Sequence, residues 1–318
     1  MLVNSRRTWI RDIFTYRGTV LPWIWRRLLF TAGLSIVLTL GHLEWRQFIV
    51  HDITPLPFTL TGFALSVFLG FRTTTAYNRY WEGRTLWGAL VNVSRSFTRQ
   101  VLHWTGPAPG AALDPAQADA LADARRRLVY AAIAFSHALR QRLRDEDDLD
   151  EYAALLEPEV VNLVKADVNR PQAIATRMAQ LLRETYDAGL IHPQHLPVLE
   201  ASLTQMTDVQ GGCERIGNTP LPYVYRVLVH QIVGFYCFTL PFGLIHALGW
   251  FAPAVTVLVA YAFFGLDAIG EELDNPFETD ANDLPLSSLC RGIELDLRAR
   301  LGETDLPAPA VPHHGLLL

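Results

Sequence analysis

Few residues of this 318-residue chain are spaced for covalent chemistry. His192 and His195 flank Pro193 in a turn, and such a pair holds a metal only with a further ligand close by. Asp145, Glu146, Asp147 and Asp148 follow Arg140, Arg142 and Arg144, the pattern of a solvated helix end. Glu214 stands next to Arg215. Near a conduction path its carboxylate would attract cations; the competing reading is a salt bridge with Arg215 or another arginine. His230 and His246 fall inside an apolar run, where an ionisable group is a functional candidate. Neutral histidines hydrogen-bonded between helices are the alternative there. The sequence contains no glycine-rich phosphate loop, no nucleophile elbow and no two-histidine helix motif, so no residue points to an enzyme. Cys213, Cys237 and Cys290 show neither metal-ligand spacing nor a disulfide pattern, which suits a reducing compartment.

What remains is a physical device rather than a reactive one. Residues 56–71 carry no charge, and Gly62, Ser66 and Gly70 recur every four residues beside a second stripe of Phe63, Val67 and Phe71. Small residues at that interval let helices approach closely in lipid. If several copies packed around an axis, the bulky stripe would project inward as stacked apolar rings, and such rings gate a pore by dewetting. Ordinary core packing inside one bundle is the other account of the same spacing.

The elements that must carry this stripe are apolar segments. Half of the residues are hydrophobic and 19% are charged, yet the mean hydropathy is slightly positive at +0.16. Long uncharged runs alternate with charged helical sequence, which predicts a membrane part joined to a soluble part. Four segments are expected to cross: 28–43, 56–71, 227–248 and 253–266, with Trp23 and Trp25 ahead of the first as an interfacial belt and Pro241 kinking the third. Six Arg and Lys residues precede the first segment, one lies between the first two, seventeen lie within 72–226, none separates the last two and three follow. That bias puts both termini and the middle section in the cytoplasm. The first 27 residues lack a compact apolar core with a cleavage site, so no cleavable signal is expected.

The middle section predicts helices over 116–144, from an Asp114 cap, and over 149–169, 172–188 and 194–210. No alternating strand pattern and no internal repeat are present. A net charge of -5 offers no basic surface for nucleic acid.

Three separated motifs resemble those of the bestrophin family. Tyr77-Asn78-Arg79-Tyr80-Trp81-Glu82-Gly83-Arg84, followed by Trp87-Gly88, Val91-Asn92 and Ser94-Arg95, looks like the stretch after the second membrane helix. Gly212-Cys213-Glu214-Arg215-Ile216-Gly217-Asn218-Thr219-Pro220-Leu221-Pro222-Tyr223 looks like the bacterial approach to the third. Asp267, Ile269-Gly270, Glu272-Leu273, Asn275-Pro276-Phe277 and Asn282-Asp283-Leu284-Pro285-Leu286 look like the segment after the fourth.

The resemblance implies an all-α membrane protein: a homopentamer around a central pore, each subunit having four transmembrane helices and a large cytoplasmic helical region. On that layout, residues 1–27 form a cytoplasmic N-terminal segment, 28–71 hold helices one and two, and 72–226 form the cytoplasmic region. Residues 227–266 hold helices three and four, 267–306 a cytoplasmic C-terminal segment, and 307–318 a disordered tail. The implied activity is passive conduction of monovalent ions across the inner membrane, with cations preferred to chloride. An anion channel of the same architecture and a non-conducting scaffold are the alternatives.

The family's neck matches Phe63, Val67 and Phe71, and its second, cytosolic aperture matches Ile216. Glu82, with Arg79 and Arg84, is expected to hold the end of the pore helix through pairs across subunits. In animal relatives an acidic run after Asn-Pro-Phe binds calcium; here Glu278, Asp280 and Asp283 are interrupted by Thr279, Ala281 and Asn282. Calcium takes six to eight oxygen ligands, so no resident cofactor or metal is expected and calcium regulation stays open.

Overall fold

The computed structural model describes residues 1, 15–16, 18–44, 54–107, 112–312 and 315–317. Most of the arginines expected ahead of the first crossing, and the loop expected between the first two, lie outside the described residues. The described residues are helical, with no strand; one isolated antiparallel bridge joins Thr105 and Ile191. The chain divides into two compact units with boundaries at 81/82, 219/220 and 276/277.

The first unit contains α1 (Leu21–Glu44), the start of α2 (Leu56–Trp104), α8 (Tyr223–Leu248) and α9 (Ala252–Glu272). Its core is Ile24 from α1, Leu65 and Leu69 from α2, Val229, Val233, Cys237 and Leu240 from α8, and Ala260, Phe264 and Ala268 from α9. Two glycines make this packing possible. A Cβ on Gly62 would lie 2.5 Å from the Tyr236 hydroxyl, and one on Gly243 would run into the Phe58 ring. Part of the small stripe on α2 is thus spent on a neighbour within the same chain. α8 continues through Pro241, and the short turn Gly249–Phe251, with Gly249 at a φ of 51°, leads into α9.

Among the described residues, three stretches are long and apolar enough to span a membrane: Leu21–His42, Leu56–Trp104 and Tyr223–Glu272. The last contains both α8 and α9, which pack on each other and on α1. Helix α2 runs for 49 residues. Arg72, Arg79, Glu82 and Arg84 do not end it, because the first two turn inward onto carboxylates.

The second unit contains the rest of α2, then α3 (Pro115–Leu143), α4 (Asp150–Ala153), α5 (Pro158–Ala166), α6 (Arg170–Asp187), α7 (Leu196–Asn218) and α10 (Leu286–Arg300). α3 starts where its sequence says it should. Asp114 accepts a hydrogen bond from the Gln117 backbone at 2.7 Å, and the Gln117 side chain accepts one from the Asp114 backbone at 3.2 Å, closing a capping box. Its buried face, including Leu128, Ile133, Phe135 and Leu139, packs against α6 and α10. Pro158 breaks the stretch expected at 149–169 into α4 and α5. α7 continues eight residues past the expected 210, through Gly211 and Gly212, where a Cβ on Gly212 would press on Leu86 at 2.9 Å. After Arg300 no further helix follows among the described residues, and the Leu317 backbone N–H donates to the Met1 carbonyl at 2.9 Å.

A charged knot holds α3 to α4. Arg140, 8% exposed, donates to both Glu151 oxygens and to Glu146, and His137 and Gln141 also bond Glu151. Burial alone would raise the Glu151 carboxyl, but the bonds from His137, Arg140 and Gln141 hold it well below the usual carboxylate range. A depressed folded-state value means stability that is present above the unfolded value of about 4.3 and lost as pH falls below it. Glu151→Ala should therefore lower the thermal midpoint of the purified protein at pH 7, by a loss of about 3 kcal/mol for a buried guanidinium left with Glu146 as its carboxylate partner. The deficit should shrink toward pH 3, and an equal midpoint for variant and parent at pH 7 would refute it.

Candidate functional site: the apolar face of a long helix and its anchor

Along α2 the residues at 62, 65, 69, 72 and 76 are buried, and this face packs within its own unit. Phe63, Val67 and Phe71 lie on the other side and are 73%, 43% and 64% exposed. The core-packing account of this stripe does not hold within the chain, because none of its three members is buried. Three large apolar groups one helical turn apart on a free face need lipid, another subunit or a dewetted lumen to cover them.

The opposite face is fixed by charge. Arg72 and Asp267 are 2% and 1% exposed and form an ion pair. The second Asp267 oxygen lies 2.6 Å from His230 Nδ1 and 3.8 Å from Arg27. One carboxylate thus ties α2 to α8, α9 and the start of α1. The aliphatic stem of Arg72 lies over Gly270, where a Cβ would approach within 3.5 Å. Two turns on, Arg79 forms an ion pair with the Asp274 carboxylate at 2.9 Å and donates a hydrogen bond to its backbone carbonyl at 3.0 Å. These two anchors follow the last apolar residue of the stripe directly, so they set the rotation of the helix and with it the direction the stripe faces. Arg72 and Asp267 escaped notice as a pair in the sequence because 195 residues separate them. The signal available was a charge embedded in each of two apolar helices, since such charges occur in compensating pairs.

The other candidates fall in the second unit. Glu214 accepts from Arg142 at 2.5 Å and from Gln210 at 2.9 Å, and Arg215 pairs instead with Glu82 of the same chain. Ile216 is 2% exposed and packed inward in the single chain, whereas an aperture residue has to face the lumen. Its exposed neighbours are Arg215 and Gly217. Asp283 is buried and accepts from the Asp280 backbone N–H at 2.7 Å, while Glu278 and Asp280 face solvent. Among the described residues no group of three or more His, Cys, Asp or Glu side chains could hold a metal ion.

His192 and His195 bring their rings to 5.5 Å, and His195 Nδ1 lies 3.2 Å from the Trp104 carbonyl. His246 stacks edge-on with His42. Asp147 pairs with Arg170 at 2.5 Å and Glu146 with Arg140 at 3.2 Å. All three cysteines are free and buried, and burial pushes the Cys213 and Cys290 thiols up to about 12.

Comparison with known proteins adds to this geometry. A family model described as bacterial/fungal bestrophin protein matches residues 1–299. The chain is 38% identical, over 96% of its length and 96% of the relative's, to a voltage-dependent anion channel-forming protein of Ralstonia nicotianae. It is 36% identical, over 98% of each chain, to the voltage-dependent anion channel-forming protein YneE of Salmonella typhi. Among solved structures it is similar to a bacterial bestrophin homolog from Klebsiella pneumoniae, with a TM-score of 0.80 and 32% identity, covering 88% of this chain and 99% of that one.

Proposed function

The chain belongs to the bacterial/fungal bestrophin family, a family of ion channels, and from that premise we propose that five copies assemble around one axis and conduct monovalent ions passively through an apolar neck. Phe63, Val67 and Phe71 line the neck as three stacked rings. The observation that carries this reading is their exposure on a helix whose other face is locked by the buried Arg72–Asp267 pair. An apolar constriction of this kind needs no ligand to close, since water leaves a narrow greasy tube spontaneously.

Each subunit crosses the membrane four times. α1, α8 and α9 are 24, 26 and 21 residues long, and at about 1.5 Å per residue each covers the roughly 30 Å of a bilayer core. The turn at Gly249–Phe251 separates the third crossing from the fourth. The arginine bias puts both termini and the second unit in the cytoplasm of an inner membrane.

For the sign of the permeant ion, the cation preference expected from the sequence gains no support. The curated relatives carry anion channel names, and the Glu214 carboxylate that would have recruited cations is held by Arg142. Anions are therefore the favoured reading. Purified protein in planar bilayers under a tenfold sodium chloride gradient should reverse near the chloride equilibrium potential. Reversal near the sodium potential would establish the cation channel instead, and no macroscopic current from the wild type or from the neck variants Phe63→Ala, Val67→Ala and Phe71→Ala would establish the scaffold.

A further inference from the structure

Past the neck, α2 continues as one helix to Trp104, so its later residues can be placed by register. Arg99 lies thirty-six residues beyond Phe63, and His103 the same distance beyond Val67, which at 3.6 residues per turn is about ten whole turns. Thr74, Asn78, Thr85 and Asn92 occupy the same row, and all of them are exposed, as are Arg99 and His103. The row that begins as three apolar groups continues through small polar ones and ends on cations.

A second observation concerns the surroundings of Arg99. A cavity of about 470 Å³ opens between α2 and α10, lined by Arg95, Ser96, Arg99, His103, Asp296 and Arg300 over a floor of Leu102 and Leu297. Asp296 is committed to Arg95 at 2.6 Å and to Arg300 at 3.5 Å. Two guanidinium groups therefore share the one carboxylate of the recess, and Arg99 is a third beside them. Arg99 itself has no hydrogen bond, ion pair or ring contact among the described residues. Its guanidinium lines the open recess.

We propose that Arg99 sets the sign of the permeant ion, five copies forming a cationic collar on the cytosolic run of the conduction path. Rings of arginine or lysine concentrate anions in a pore. The collar is wet, so its field is screened within about 10 Å at 0.1 M salt and acts more strongly in dilute solution. The proposal rests on the channel reading above and names the residue that gives it selectivity.

The test uses the full-length protein in planar bilayers under a tenfold potassium chloride gradient, with wild type, Arg99→Lys, Arg99→Gln, Arg99→Glu and the remote surface control Arg183→Gln. Wild type, Arg99→Lys and the control should reverse on the chloride side. Arg99→Gln should move the reversal potential toward zero and Arg99→Glu beyond it, both shifts growing as total salt is lowered. Should Arg99→Glu fail to assemble, Arg99→Gln alone reads the shift. A wild type that conducts while Arg99→Gln or Arg99→Glu keeps its reversal potential at every salt concentration overturns this proposal and leaves the channel reading standing. No current from the wild type or from Phe63→Ala, whose neck is widened, overturns both.

Discussion

Phe63→Ala, Val67→Ala and Phe71→Ala are each expected to leave the assembled protein intact and to raise conductance or open probability about tenfold, since a barrier lowered by about 1.4 kcal/mol is a factor of ten in rate. The side chains are 73%, 43% and 64% exposed in the single chain, so shortening them removes little of its core and opens no large internal cavity. What changes is the width and wettability of a constriction to which every subunit contributes. Trimming five bulky apolar groups at once from a ring admits water where none was stable, and ions follow the water. Single-channel recording checks this, with size-exclusion profiles of the same preparations as the control for assembly. Currents unchanged in all three variants would remove the neck from these residues.

The second large effect is of the opposite kind. Asp267→Ala is expected to abolish most of the folded yield, because it strands Arg72, which is 2% exposed, in an apolar helix packing. Breaking a buried pair by removing one partner costs about 3–5 kcal/mol, against a total stability of roughly 5–15 kcal/mol for a protein domain. His230 and Arg27 lose their shared acceptor in the same stroke. The check is monodisperse yield and thermal midpoint in detergent. Removing both charges, as Arg72→Met with Asp267→Leu, should recover much of the loss, since an apolar replacement of a buried pair is often neutral. A single Asp267→Ala variant as stable as the parent would show that the pair does not anchor the helix.

These two predictions divide along the line between what the chain alone disclosed and what it withheld. The stripe at 63, 67 and 71 was legible because it depends on one period within one helix. The Asp114 cap and the helix it starts were legible for the same reason, both being local. Arg72 read as the point where a membrane helix meets water. It is instead turned inward, because its partner arrives 195 residues later on α9. The continuation of α7 through Gly211 and Gly212 was hidden in the same way: glycine pairs suggest a stop, but Leu86 packs where a side chain would have been. Glu214 was correctly open between ion attraction and a salt bridge, and the acceptance from Arg142 follows from a contact across 72 residues that no spacing rule reaches.

The central claim is that the stripe faces the conduction path, which wets only when the neck opens, while its neighbours on the same helix do not. Val67→Cys and Phe68→Cys separate the two, being adjacent residues about 100° apart around the helix and both exposed in the single chain. The native cysteines are buried, so they give a silent background. A charged, membrane-impermeant thiol reagent applied during bilayer recording should alter the current of Val67→Cys and leave that of Phe68→Cys unchanged. Modification of current at 68 with none at 67 would turn the stripe toward lipid and contradict the account.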